Sequence, residues 1–210
     1  RYMANKKILI LFFHPRFEDS RVNAQLVEGV KQLQNITFRD MYELYPDFNI
    51  NVEKEQAELL AHDIIIWQHP FYWYNCPPLM KQWLDLVLEY GWAYGTNGNK
   101  LSGKWVMNVI SSGGGFNVYQ KEGRNRFTHR DFLNSFDQTA HLCQMDYLPP
   151  FIIPGANKLS ISEIEDFMIR YTQIVHFLMN EQIDINKLKE LENFNQLNAD
   201  QWEHQFYKMQ

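Results

Sequence analysis

This chain is poor in the residues that build metal centres and covalent scaffolds. Its 210 residues hold two cysteines, Cys76 and Cys143, far apart and with no C-x-x-C pair. A disulfide framework is thereby excluded, no metal site is expected, and a reducing intracellular compartment is implied. The seven histidines include no H-E-x-x-H. Basic charge is not in excess: the formal net charge is −5, which excludes nucleic acid as the main partner because phosphate binding needs a concentrated basic face. Long apolar runs are missing as well. Ile8–Phe13 follows Lys6-Lys7 but spans six residues before His14-Pro15, so it reads as a buried first strand and not as a leader peptide, and no membrane span is expected. Arg1-Tyr2, ahead of Met3, carries no functional weight. Neither G-x-G-x-x-G nor G-x-x-x-x-G-K-[ST] occurs, which removes support for a Rossmann dinucleotide site and for a P-loop.

What is present alternates. Strand-like runs at Ile8–Phe13, Thr37–Tyr42, Asp63–Gln68, Trp105–Ser111 and Leu148–Ile153 are separated by helical patterns. Those patterns cover Val22–Gln34, Glu53–Ala61, Pro77–Tyr90, Asp131–Gln144 and Ser160–Asn180. Near-continuous apolar strands between helices imply a parallel sheet covered by helices on both faces. Five strands favour the flavodoxin-like order 2-1-3-4-5, with the polar Thr37–Tyr42 strand at an edge. The last helix opens on a capping box, Ser160 and Glu163, and is expected to bury Ile161, Ile164, Phe167, Met168, Tyr171 and Ile174. The remaining residues are polar, with a weak apolar stripe (Leu188, Leu191, Phe194, Leu197) and then Trp202 and Phe206, and read as a helical C-terminal appendage.

In such a sheet the ligand lies across the loops after strands 1, 3 and 4, and each of these is chemically distinctive here. The first contains His14, Ser20 and Asn23 and leads into a helix whose free N–H groups favour a phosphate; Ser20 suits a plain helix cap equally well. The third begins at Pro70 and carries Phe71-Tyr72-Trp73-Tyr74, a stacking surface, before Pro77-Pro78 start an amphipathic helix. The fourth is Ser111-Ser112-Gly113-Gly114-Gly115, whose backbone can approach a planar ligand closely. Lys121, Arg124, Arg126 and Arg130 follow soon after and are expected to line the mouth of the cleft.

The series His14-Pro-x-Phe-x-x-Ser20-x-x-Asn23, Gln68-His-Pro-Phe-Tyr-Trp-Tyr74, Pro77-Pro-Leu-x-Lys-x-Trp-x-Asp85, Gly91-Trp-Ala-Tyr-Gly95 and Ser111-Ser-Gly-Gly-Gly115 closely resembles the NAD(P)H:quinone oxidoreductase family. Leu44-Tyr-Pro-Asp-Phe-Asn-Ile50 and Leu148-Pro-Pro-Phe151 are similar to its bacterial branch, which holds general NAD(P)H oxidoreductases and ancillary proteins of glutathione-regulated potassium-efflux transporters. The resemblance covers roughly residues 7–178 and implies a flavin-binding domain over 3–180; it does not cover the tail, and 181–210 is expected as a separate extension. It implies FMN, favoured over FAD, with NAD(P)H as electron donor and a quinone or similar small molecule as acceptor. His14, Ser20, Val22 and Asn23 match residues that hold the flavin phosphate. Pro70 through Tyr74 match the segment along the ring, and Ser111, Ser112, Gly113, Gly114 and Gly115 match its backbone cradle. Tyr119 matches a tyrosine that assists hydride transfer. The histidine that follows it by six residues in the mammalian-type enzymes is Asn125 here, and His129 is out of register, so a Tyr–His relay is not carried over. Implied alongside are a homodimer and a cytoplasmic location, or the inner face of the membrane through a transporter. The competing role is a regulatory subunit of that transporter. A one-electron carrier is disfavoured because the flavodoxin phosphate loop T-G-x-T-G is absent.

Overall fold

The computed structural model of the protein describes residues 5–16, 20–180, 182–198, 201 and 205–207. Phe17, Glu18 and Asp19 of the first loop, Trp202 of the tail and the boundary residues Met3 and Glu181 lie outside the described residues.

One parallel sheet runs in the order β2-β1-β3-β4-β5, built from β1 (Ile8–Phe12), β2 (Ile36–Asp40), β3 (Ile64–Pro70), β4 (Trp105–Ser111) and β5 (Asp146–Tyr147), with β6 (Phe151–Ile153) also paired to β4. This is the flavodoxin-like order. Leu148–Ile153, expected as one strand, is instead the second part of a divided one that starts earlier. Leu148 N–H still donates to Val106 O at 2.8 Å. Pro149 and Pro150 then have no N–H for the ladder, and pairing resumes at Phe151.

Strand alternation decides which helix meets which face. Leu9, Leu11, Ile65, Trp67, Val106 and Ile110 face α3 (Val52–Ala61), α4 (Pro78–Val87) and α6 (Asn134–Leu142). Ile8, Ile10, Ile64, Ile66, Met107 and Val109 face α1 (Arg21–Val30) and α7 (Ile161–Leu178). A short α2 (Met41–Leu44) follows β2, α5 (His129–Phe132) precedes α6, and α8 (Ile185–Leu188) lies in the tail. The helix expected over Asp131–Gln144 is thus two pieces, meeting at Leu133. The first helix stops at Val30, four residues short of expectation; a tight Leu33 N–H to Val30 O bond and a left-handed Asn35 turn the chain into β2. The capping box of α7 is present, with Ser160 Oγ accepting from Glu163 N–H at 3.3 Å and Glu163 Oε2 from Ser160 N–H at 2.8 Å. Ile161, however, is 72% exposed, because the first turn of α7 lies beyond the core its later turns cover.

Beneath β2, a carboxylate is completely buried. Glu55 accepts from the Tyr45 hydroxyl at 2.7 Å, from Trp83 Nε1–H at 3.1 Å and from the Arg39 guanidinium. All three partners donate, so the acceptor-only carboxylate is satisfied. Burial and the bond to Glu55 push the Tyr45 hydroxyl up to about 12. The Leu44–Ile50 motif therefore serves the interior, through buried Tyr45 and Ile50.

The tail is stitched to the body. Leu188 and Phe194 are buried in the core beside α7. Asn195 pairs its side-chain amide with β6: Oδ1 accepts from Ile152 N–H at 3.0 Å and Nδ2 donates to Ile152 O at 2.7 Å.

Candidate functional site

The loops leaving β1, β3, β4 and β6 enclose a cleft of about 500 Å³, within the usual range for small-molecule sites. It lies at the carboxyl ends of the strands, where connections from neighbouring β1 and β3 diverge.

One end is built for an anion. Ser20 caps α1: its Oγ accepts from Asn23 N–H at 3.2 Å and from Asn23 Nδ2 at 2.9 Å. With both acceptor positions used by Asn23, the hydroxyl proton is directed elsewhere, so capping and donation to a ligand coexist. Asn23 Nδ2 also lies 3.3 Å from Ser111 Oγ, tying this corner to β4. Arg21 and Val22 open α1, where backbone N–H groups have no intrahelical acceptor. Arg16 and Arg21 add positive charge to the lining. His14 Nδ1 accepts from Arg16 N–H at 3.1 Å, so Nε2 is the ring's donor.

The other end is a peptide cradle. Gly114 O accepts from Ser112 Oγ at 2.8 Å and from Gly155 N–H at 3.0 Å, and Ser112 O accepts from Ala156 N–H at 2.9 Å. Those bonds turn the carbonyls toward the loop after β6. Among the described residues, the N–H groups of Gly113, Gly114 and Gly115 have no protein acceptor. A Cβ on Gly113 would meet only Asn157 Nδ2, at 3.6 Å; on Gly114 it would strike Val118 at 2.7 Å and Tyr119 at 3.0 Å. Gly113 therefore faces open space, and Gly114 is pressed against the Tyr119 ring.

The wall between the two ends is aromatic and firmly held. Buried His69 donates from Nδ1 to Pro70 O at 2.9 Å, since a carbonyl can only accept, and its Nε2 accepts from Asn108 Nδ2 at 2.9 Å. Asn108 Oδ1 in turn accepts from the Tyr147 hydroxyl. Burial holds His69 down to about 4, so it is neutral. Phe71 continues the ladder through its N–H to Ser111 O at 2.7 Å. Trp73 and Tyr74 then occupy consecutive left-handed positions (φ 47° and 62°) in a tight turn between Tyr72 and Asn75. Such positions normally take Asn or Gly, and bulky residues there cost on the order of 1–2 kcal/mol each. Strain of this kind concentrates at functional sites. The turn leaves Trp73 91% exposed.

Of the expected residues, His14, Ser20, Val22, Asn23, Pro70, Phe71, Tyr72, Ser111, Ser112 and Gly113 line the cleft together. Trp73 stands outside it in solvent. Tyr74 stacks on Phe132, with ring centroids 4.9 Å apart. Gly114, Gly115 and Tyr119 are not part of the lining. Burial raises the Tyr119 hydroxyl, with Tyr74 adding to the shift and Arg124 opposing it. Asn125 accepts from the Tyr74 hydroxyl at 3.4 Å. Arg130, expected at the mouth, turns inward to Asp137 at 2.9 Å and over the Tyr147 ring. Three groups of contributors were not anticipated: the arginine pair Arg16 and Arg21, the Ala156-Asn157 loop, and His129 stacked on Tyr119 with centroids 3.8 Å apart. Gly155, left-handed just after the last strand, was the available signal for the second.

A family model for the flavodoxin-like fold matches residues 6–175. An uncharacterized NAD(P)H oxidoreductase of Bacillus subtilis, YdeQ, is 42% identical over 193 residues, covering 91% of this chain and 98% of that protein. The glutathione-regulated potassium-efflux system ancillary protein KefG of Shigella flexneri is 43% identical over 158 residues, 75% of this chain and 86% of that protein. Among solved structures, general stress protein 14 of Treponema denticola in complex with FMN is similar at a TM-score of 0.79 and 36% identity, covering 82% of this chain and 99% of that one.

Proposed function

The chain belongs to that flavodoxin-like family, and from this premise we propose that it is an FMN-dependent NAD(P)H oxidoreductase that reduces quinones by two-electron transfer, in alternating (ping-pong) steps. One observation carries the reading: the cleft gathers hydrogen-bond donors at both ends of an aromatic wall. The Ser20 hydroxyl, the first N–H groups of α1 and the Arg16 and Arg21 side chains suit a phosphate. The N–H groups of Gly113–Gly115 suit the polar edge of a flat ring. The donor set fits FMN, and the FMN complex of the related general stress protein supports it over FAD. When bound, FMN supplies a ring that accepts hydride from NAD(P)H and passes the electrons to a second substrate. The glycine N–H groups stabilise negative charge appearing at that edge, and Tyr119, kept protonated by burial, is available as a donor beside them. Phe71 and Tyr72 exclude water from the wall. Exposed Trp73, Phe116 and Phe127 offer apolar surface for a second copy in a homodimer. The site residues are then those expected from the resemblance, joined by Arg16, Arg21 and Asn157.

Purified protein should take up FMN, oxidise NAD(P)H anaerobically, and be reoxidised by a quinone with parallel double-reciprocal lines. Absence of FMN binding overturns the reading. Tyr72→Ala, which removes a half-exposed ring from the cleft wall, should weaken FMN about tenfold through lost stacking. Tyr119→Phe should keep FMN bound and slow reduction. Equal loss of FMN in both variants would contradict these roles.

Similarity to KefG supports a second reading, a cytoplasmic ancillary subunit held at the membrane by a potassium-efflux transporter. Among the described residues no helix is long and apolar enough to cross a membrane, so such attachment would run through the partner. Co-purification with the transporter without NAD(P)H turnover would favour this role over catalysis.

Arg124 and Arg126 are the remaining candidates for reading a 2′-phosphate on NADPH. A charge-assisted bond there is worth about 1.5–3 kcal/mol, so losing it should lower the NADPH-to-NADH ratio of kcat/KM roughly tenfold or more. An unchanged ratio in both Arg124→Ala and Arg126→Ala would remove the loop from cofactor choice.

A further inference from the structure

In the sequence His129 is out of register with the relay histidine of related enzymes. The fold gives it another place. Thr128 caps α5 through a reciprocal box: its Oγ accepts from Asp131 N–H at 3.0 Å, and Asp131 Oδ2 accepts from Thr128 N–H at 2.8 Å. His129 is thus delivered, buried, as the first residue of that helix. Its Nε2 lies 2.8 Å from Ser112 Oγ. The Ser112 hydroxyl has one proton, and it is given to Gly114 O at 2.8 Å. Nε2 must therefore be the donor to Ser112, and Nδ1 carries no proton. No protein donor meets Nδ1 among the described residues. The face of the same imidazole lies on Tyr119, with centroids 3.8 Å apart and planes at 25°, and the Cε2 edge of Tyr119 lies against Gly114, where an added Cβ would come within 3.0 Å. Phe71 and Phe116 complete the surround at 5.9 and 5.4 Å.

These contacts close a ring: His129 to Ser112, Ser112 to Gly114, Gly114 to Tyr119, and Tyr119 back to His129. We propose that His129 is the positioning residue of the glycine cradle, acting as a neutral Nε2–H donor that holds Ser112–Gly114 and backs the Tyr119 ring. The inference rests on the flavin reading of the cleft for its consequence: the affinity and reduction potential of FMN held there depend on this imidazole. It is not a relay, since the two rings meet by their faces.

The test has two arms. Nitrogen-15 NMR of histidine-labelled protein without added flavin reads the tautomer directly, and the Nε2–H form is expected for His129; an Nδ1–H form overturns the clamp whatever the cofactor. FMN titration and the midpoint potential of bound FMN are then compared in wild type, His129→Gln, His129→Leu, Ser112→Ala and the Leu/Ala double variant. Gln keeps an N–H donor at similar reach and should stay within about threefold of wild type, whereas Leu and Ala should each weaken FMN about tenfold, the worth of one hydrogen bond. Their potentials should move negative, because cradle donors that stabilise negative charge are less well aimed. The double variant should be no worse than the poorer single, since both cut one connection. Wild-type affinity and potential in His129→Leu, or single effects that multiply in the double, overturn the proposal. Should His129→Leu fail to fold, His129→Gln and Ser112→Ala still decide it. Wild-type protein that shows the Nε2–H form but takes no FMN would overturn the flavin consequence together with the proposed function, leaving the clamp itself standing.

Discussion

Replacing Glu55 with leucine should be among the most damaging single changes this fold can suffer. The carboxylate is wholly buried and gathers Arg39 from β2, Tyr45 from the segment after α2 and Trp83 from α4. Among the described residues, removing it leaves the Tyr45 and Trp83 donors without an acceptor and Arg39 with Glu58 as its remaining carboxylate, 3.6 Å away. Breaking a buried ion pair on one side costs roughly 3–5 kcal/mol, which for a chain of this size lowers the melting temperature by roughly 10 °C. Urea unfolding should show a lower midpoint at unchanged slope. A loss below about 1 kcal/mol would mean that the cluster adds little beyond apolar filling.

Acid should weaken the fold well before carboxylates titrate. His69 and His129 are both held down to about 4 by burial, while an unfolded histidine titrates near 6.5. Between those values the unfolded chain binds more protons than the native one, so stability is complete above about pH 6.5 and falls as pH drops toward 4. The loss approaches on the order of 3 kcal/mol per histidine at the acid end. Unfolding measured from pH 7.5 down to 4.5 should report uptake of about two protons, and His129→Gln should remove about one of them. A flat stability profile over that window would mean that neither imidazole is kept neutral by its surroundings. The site should fail along with the fold, because His69 holds Pro70 and His129 holds Ser112, both in the cleft lining.

Much of this was legible before any coordinates. The sheet order followed from apolar runs separated by helical periodicity, because strands covered on both faces must be apolar throughout. The loops after strands 1, 3 and 4 were legible because their chemistry is local: a cap next to a helix start, four large side chains in a row, three glycines. Boundaries were less so. Ile161 has the spacing of a core residue but precedes the turns of α7 that reach the sheet, and periodicity does not say where a helix meets its neighbour. The double proline was visible, yet its division of the last strand depends on which residues face β4. His129 was the hardest to see, since its bond to Ser112 spans 17 residues and exists only because α5 folds back over the cradle. The four residues Phe71–Tyr74, adjacent in the chain, also end in three different surroundings, the cleft wall, open solvent and the Phe132 ring, which a reading by composition merges into one surface.

The amide of Asn195 imitates a neighbouring peptide. A sheet that stops at a bare strand offers its unused N–H and C=O groups to any extended chain that drifts past, and that invitation is how sheets recruit strangers into aggregates. Here the tail answers first, placing one side chain where a foreign backbone would bond, and Arg170 fastens the decoy by donating to Asn195 O and Leu197 O at 3.2 and 3.1 Å. The polar residues that follow the last long helix thus guard the open flank of the sheet, and what a shortened chain would lose first is its solitude.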